Sequence, residues 1–218
     1  MASVVEICNL ALSNIRAGSI NSLDEGSLQA QLCKLKYSIL RDRCLREIPW
    51  QFNHKLRALA PVTTEIFNWG YAYSYPVDCL KIQRLVGSYE ELLVGQSDVV
   101  SRALDSRIIP QGDLRKQIPY EVFNFDDNKI IGSNQPDLRI DFAAKVEDPN
   151  LFSDDFIMAL SHLISSEVAI PIVGAELGRA LRNDSLQLYR NYLSSAMATD
   201  MNDQYFIPSE SDYINVRR

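Results

Sequence analysis

Apolar residues recur at helical spacing towards both ends of the chain and at strand spacing in its middle. Val4, Val5, Ile7, Cys8, Ala11, Leu12 and Ile15 share one helix face, with Ser3 and Glu6 placed as a capping box and Gly18 placed as a stop. A second helix is predicted from Leu28 to Ile48. Its stripe is Leu28, Leu32, Leu35, Ile39, Leu40, Cys44 and Leu45, and Pro49 ends it. From about Trp50 to Pro149 the texture changes: Pro and Gly recur, and short runs are rich in aromatic and β-branched residues. LKIQRLVG (80–87), ELLVG (91–95), YEVFNF (120–125), KIIG (129–132) and LRIDF (138–142) read as strands. Asp126 and Asp127 sit in a tight turn between two of them, which predicts a hairpin. The stretch from Val99 to Gly112 has no assignable period.

Helical texture returns after Pro149. Ser153 is placed as an N-cap, with Asp154 and Asp155 in the first turn, and Phe156, Ile157, Leu160, Leu163, Ile164 and Val168 form the apolar face. Pro171 is expected to kink or break this helix. A fourth helix, from about Ala175 to Thr199, carries Leu177, Leu181, Leu188, Tyr192, Leu193 and Ala196. No single stripe is buried alone, so the helices before and after the middle segment must pack together. The expected architecture is α+β: a discontinuous four-helix bundle with an inserted antiparallel β-rich domain and an extended C-terminal arm. The predicted segments are 1–50 (first helical half), 51–149 (insert), 150–199 (second helical half) and 200–218 (arm).

Composition then narrows the functional classes. The chain has 218 residues, 46% of them hydrophobic, enough for a real core. No window holds the roughly 18 uninterrupted apolar residues of a membrane span. MASVVEICNLALSNIR lacks a basic leader, which predicts neither a signal peptide nor an anchor, and synthesis in the cytoplasm. Lys and Arg total 22 against 28 Asp and Glu, a net charge of −6. Tight binding to a phosphate backbone needs clustered cations, so a DNA-binding regulator is disfavoured; a surface past which DNA slides is not.

Candidate chemistry is sparse. Phosphate-cradling glycine loops, nucleophile elbows and H-E-x-x-H are all absent. Cys8, Cys33, Cys44 and Cys79 form no C-x-x-C and read as buried thiols. His54 and His162 read as packed histidines. The acidic pairs Asp126-Asp127 and Asp154-Asp155 could be recruited by a carboxylate-dependent hydrolase, but a turn and a helix N-terminus account for them. No catalytic residue, metal or cofactor is expected. The run WGYAYSYP (69–76) reads either as a base-stacking platform or as packing; the nearest cations, Arg57 and Lys81, are too far along the chain to favour stacking.

The motifs C-N-x-A-L (8–12), IPWQFN (48–53) and WGYAYSYPVDCLKIQRL (69–85) together resemble the tail tubular protein A family of phage adaptors. The matching positions include Pro49, Trp50, Trp69, Tyr73, Pro76, Asp78, Cys79 and Leu80. RIDFAAKVEDPNLFSDDFIMALSHLISSEVA (139–169) resembles the family's strand, V-x-D-P connection and following helix. The likeness runs from near residue 4 to near 199. Phe142-Ala143 and Pro171 depart from the family pattern and put local geometry in question there.

The resemblance implies a non-enzymatic structural virion protein, a head-to-tail connector. It would be a homo-oligomeric ring, of twelve copies in that family, between the portal protein and the tail nozzle protein. DNA would pass through its channel during ejection without specific binding, and a tail fibre or tailspike would dock outside. Neither a membrane nor a cofactor enters this picture. Trp50, Trp69, Tyr73, Pro76 and Asp78 are expected to pack the two domains together. Tyr205, Phe206, Ile207, Tyr213, Ile214, Arg217 and Arg218 are expected to form an assembly interface, because anchors so dense do not suit a solvated tail. Another neck or tail-completion protein is the structural alternative, and an envelope-polysaccharide hydrolase the enzymatic one. Purified protein should show no turnover on peptidoglycan or polysaccharide; turnover lost on changing Asp126, Asp127, Asp154 or Asp155 contradicts this.

Overall fold

The computed structural model describes residues 3–64, 68–87 and 118–202. The fold is α+β, with four helices and two sheets among these residues. Its α-helices are α1 (Val4–Asn14), α2 (Leu28–Glu47), α3 (Asp154–Val173) and α4 (Ala175–Asn202). The strands are β1 (His54–Ala58), β2 (Pro61–Val62), β3 (Tyr71–Ser74), β4 (Cys79–Val86), β5 (Tyr120–Phe125), β6 (Asn128–Ser133) and β7 (Arg139–Ala144). The chain divides into two compact units, 1–54 with 143–204 and 55–142 with 205–218. Residues 51–54 and 143–149, expected within the insert, therefore cluster with the helices. The strand expected at 91–95 and the unassigned stretch from Val99 to Gly112 lie outside the described residues.

In the helical unit, α1 starts at the expected capping box. Ser3 Oγ accepts from Glu6 N–H at 3.1 Å and Glu6 Oε2 accepts from Ser3 N–H at 2.7 Å. The helix ends at Asn14, before Gly18, because Arg16 already turns left-handed with φ of 58°. Asn9 then clamps the following loop: its amide donates to Ile20 O at 2.9 Å and its carbonyl accepts from Ile20 N–H at 2.8 Å.

The buried face of α2 differs from the expected stripe. Ala30, Cys33, Tyr37, Leu40, Cys44 and Leu45 are buried, while Leu28, Leu35 and Ile39 are exposed. Two apolar rows run along opposite sides of this helix, and periodicity alone picked the outer one over its first three turns.

Pro49 stops α2, and its last carbonyls must find partners outside the helix. Trp50 Nε1–H donates to Cys44 O at 3.0 Å, and Asn53 Nδ2–H donates to Leu45 O at 2.9 Å. The Trp50 ring, 1% exposed, meets Phe156 of α3 edge-on at 5.1 Å. Phe52 lies 5.2 Å from Phe156 and 5.7 Å from Phe152. The P-W-Q-F-N run is thus at once a helix cap and an aromatic joint to α3.

Pro171 does not break α3, which runs on to Val173 and stops at Gly174, φ 95°. A proline at this position frees the carbonyl four residues earlier. Here that carbonyl, Glu167 O, accepts from Lys36 Nζ of α2 at 2.9 Å, and Glu167 Oε2 pairs with the same ammonium at 3.2 Å. The neighbouring helix α4 comes in close at Gly178, where a Cβ would lie 2.8 Å from Ile170 Cα. The buried face of α4 is Gly178, Ser185, Tyr189, Leu193 and Ala196, whereas Leu177 and Leu188, expected inside, are exposed.

The sheet unit contains a four-stranded sheet ordered β2-β3-β6-β5, antiparallel throughout, and a three-stranded sheet ordered β1-β7-β4. Asp126 and Asp127, φ of 44° and 64°, close the β5–β6 hairpin with Phe125 opposite Asn128. Two consecutive left-handed residues make the turn whose twist matches its strands, and Asp tolerates that region.

Trp50→Ala removes a buried ring and leaves the Cys44 carbonyl without its donor. We expect a loss of about 3–5 kcal/mol of unfolding free energy. Trp50→Phe keeps most of the packing and loses chiefly the hydrogen bond, a cost of about 1–3 kcal/mol. Denaturant unfolding of both variants checks the order; equal costs contradict the capping role.

Candidate functional site

The residues marked by the sequence do not converge on one cleft. Trp50 lies in the helical core, with its polar and ring partners in that unit. Tyr73 is 2% exposed in β3, and its hydroxyl donates to Gln135 O at 2.7 Å. Trp69, half-buried, lies over Gly132 of β6, where a Cβ would meet the indole at 2.9 Å, and its Nε1–H donates to Glu121 at 3.2 Å. The glycine leaves room for the ring, so Trp69 packs on the sheet rather than presenting a free stacking face.

Pro76 opens the turn into β4, and its carbonyl accepts from Cys79 N–H at 3.0 Å. Asp78 faces β1, held by Lys55 Nζ at 3.1 Å and by both terminal nitrogens of Arg57 at 3.0 Å. Partial burial works to raise the Asp78 carboxyl, but hydrogen bonds and charge from Lys55 and Arg57 outweigh it and hold it below the usual range. Arg57 also lies over the Phe142 ring at 5.5 Å. The stretch from Tyr73 to Leu80 therefore pins the start of β4 to β1 through a bidentate ion pair.

The acidic pairs occupy the expected bland positions. Asp126 and Asp127 form the hairpin turn, and Asp154 and Asp155 the first turn of α3, whose N-cap Ser153 accepts from Phe156 N–H at 3.4 Å. Among the described residues no three His, Cys, Asp or Glu side chains cluster as a metal site. The four cysteines are free and buried. Burial pushes the Cys44 thiol up to about 12, far from a reactive thiolate. Sequence reading missed the role of Asn9, Asn53 and Lys36, each a polar side chain satisfying a backbone group distant in the sequence.

His162 is the most unusual polar group. It is 6% exposed on α3, stacks on Tyr192 of α4 at 5.3 Å, and its Nδ1 lies 3.3 Å from Asn14 Nδ2. The same Asn14 amide donates to Ser165 Oγ at 3.2 Å, and Ser165 in turn donates to Ala11 O. An amide donor facing Nδ1 requires that nitrogen to be unprotonated. Burial accordingly lowers the His162 pKa. This is a polar lock between α1, α3 and α4.

The α3 helix is also long and apolar enough by composition to cross a membrane, yet its buried residues, from Phe156 to Ala169, form the core of the helical unit. The expected interface residues, Tyr205, Phe206, Ile207, Tyr213, Ile214, Arg217 and Arg218, lie outside the described residues. Comparison of the chain with protein-family models and with curated proteins finds no match.

The neutral state of His162 gives a pH test with a fixed sign. The unfolded chain takes up a proton near pH 6.5 that the folded chain resists, so stability is full above that value and falls as pH drops below it. The slope from this residue reaches at most about 1.4 kcal/mol per pH unit. The stability difference between the protein and His162→Gln should be flat above pH 7 and shrink towards acid. A difference independent of pH contradicts the assignment.

Proposed function

We propose that this chain is a structural protein of a tailed-phage particle, an adaptor that forms a ring between the portal and the tail nozzle and lines part of the channel for DNA ejection. In this reading its four helices make one discontinuous bundle, and the strands form a β-rich insert in its sequence. The observation that supports the reading most is where the adaptor-like residues sit. Asn9 clamps a loop, Trp50 caps α2, Tyr73 ties β3 to the turn after β6, and Asp78 pins β4 to β1. These are joints, which is what a signature shared for architecture rather than chemistry should contain. The net charge of −6 suits a channel wall along which DNA moves without sticking.

The same reading takes Trp50 as a joint within the helical unit, and Trp69, Tyr73, Pro76 and Asp78 as joints within the sheet unit. It assigns the segment from Asp200 to Arg218 to contacts with neighbours in the particle. A tail fibre or spike would bind the outside of the ring. Another neck protein remains distinguishable by its copy number and its neighbours in an intact particle. Mixing purified protein with purified portal should give a complex whose ring has the portal's symmetry, visible by native mass measurement and electron microscopy. A chain that leaves portal unbound at micromolar concentration contradicts the proposal.

A further inference from the structure

Two of the four buried thiols meet between α1 and α2. Cys8 lies on the buried face of α1 with Ile7, Ala11 and Leu12, and Cys33 on that of α2 with Ala30 and Tyr37. Both cysteines are 0% exposed, and the Cys8 thiol is hydrogen-bonded to Cys33. The register is set by groups nearby. Asn9, beside Cys8, holds both backbone groups of Ile20, and Gln29 in the first turn of α2 donates to Ala17 O at 3.5 Å. The other two thiols have phenols for partners, Tyr189 for Cys44 and Tyr75 for Cys79.

A third polar group shares the seam. Tyr37 follows Cys33 by one turn on the same face of α2 and is 6% exposed. Its hydroxyl has no hydrogen-bond partner among the described residues. Burial pushes that hydroxyl up to about 12, and Cys8 lies close enough to add to the rise. The phenol therefore keeps its proton at neutral pH and is a spare donor beside the thiols.

Hydrogen bonding divides the roles of the two cysteines. The bond from Cys8 outweighs burial and holds the Cys33 thiol below the usual thiol range. The same bond, then burial and the Cys33 charge, push the Cys8 thiol up. Cys33 thus ionises first, with Cys8 as its donor. This is the division of labour in a dithiol that closes on itself, where one thiolate attacks and the other thiol resolves.

We infer that Cys8 and Cys33 form an intramolecular disulfide when the chain meets a low-molecular-weight disulfide such as oxidised glutathione, fastening α1 to α2. Cys33 Sγ attacks one sulfur of the small disulfide, whose S–S bond breaks. One small thiol leaves with the proton that Cys33 released, and Cys33 carries the other half as a mixed disulfide. With the Cys33 charge gone, Cys8 gives up its proton and attacks Cys33 Sγ. The mixed bond breaks, and the second small thiol leaves with that proton. Two protein thiols are oxidised and one small disulfide is reduced to two thiols. Both cysteines are buried, so entry requires local opening of α1, a helix of 11 residues. Disulfides persist in oxidising media, so the thiols stay free where glutathione is kept reduced. A subunit leaving its host in a finished particle would make that passage, a consequence that alone rests on the adaptor reading.

The test exchanges reduced full-length protein with oxidised glutathione, in one arm without urea and in another with urea below the unfolding midpoint. Local opening in the second arm admits glutathione, so slow entry cannot hide the bond. Thiols are counted after unfolding, and linked peptides are mapped by mass. Two of the four thiols should disappear, the chain should lose two hydrogens, and Cys8 should map to Cys33. The bridged protein should melt about 5 °C or more above the reduced one, and dithiothreitol should reverse both changes. Cys8→Ala should trap more glutathione on its remaining seam thiol than Cys33→Ala does, and neither should form the bridge. If a variant fails to fold, mapping of the wild-type chain still decides. The inference is overturned if Cys8 and Cys33 stay free in both arms, or if either pairs with Cys44, Cys79 or another chain. A bridged protein that melts below the reduced one also overturns it, because the helices would then have to shift to accept the bond. A reversed trapping order overturns Cys33 as the attacking thiol. Portal takes no part here, so failed portal binding sinks the adaptor reading alone, and a failed bridge this pairing alone.

Discussion

The end of α2 is where the helical unit closes, and two backbone carbonyls there set the terms. Pro49 forces the helix to stop, and the Cys44 and Leu45 carbonyls would otherwise be buried without donors. Each such group costs about 1–3 kcal/mol when left unsatisfied. Trp50 and Asn53 supply the donors from the chain that has just left the helix. Placing the indole there also brings its ring against Phe156, a residue from the other end of the sequence. One turn of chain thereby satisfies the helix end and joins the halves of the unit. The Tyr189 hydroxyl on Glu47 and the Lys36 ammonium on Glu167 O extend the same logic along α2.

The elements were legible in the sequence where a local cause acts alone. Ser3 with Glu6, Pro49, the Asp126-Asp127 turn and Ser153 each mark a boundary through chemistry within a few residues. Faces were harder to read. The α2 helix carries two opposed apolar rows, so no single direction is apolar and periodicity could not choose between them. On α4 the inner face is built partly from Gly178 and Ser185, which a hydrophobic pattern ignores in favour of Leu177 and Leu188. The break allowed for at Pro171 does not occur for a different reason: the freed Glu167 carbonyl finds a donor in Lys36, 131 positions away.

The candidate site was legible in residue identity more than in role. Trp50, Tyr73 and Asp78 stood out as unusual, and each proves to hold backbone or charge in place rather than to present a reactive group. Asn9 and Asn53 lay inside quoted motifs without a legible role and Lys36 lay in none, since a lone polar side chain shows its value only when its backbone partner is known. Along α2, Leu28, Leu35 and Ile39 stay exposed.

The central claim is that the sequence-distant halves of the helical unit are locked together at the Trp50 joint. A double-mutant cycle on Trp50→Ala and Phe156→Ala, read by equilibrium unfolding, measures it directly. The edge-on rings at 5.1 Å predict that the double change costs about 1 kcal/mol less than the sum of the single changes. Additivity within about 0.3 kcal/mol would place the two residues in independent clusters and contradict the account.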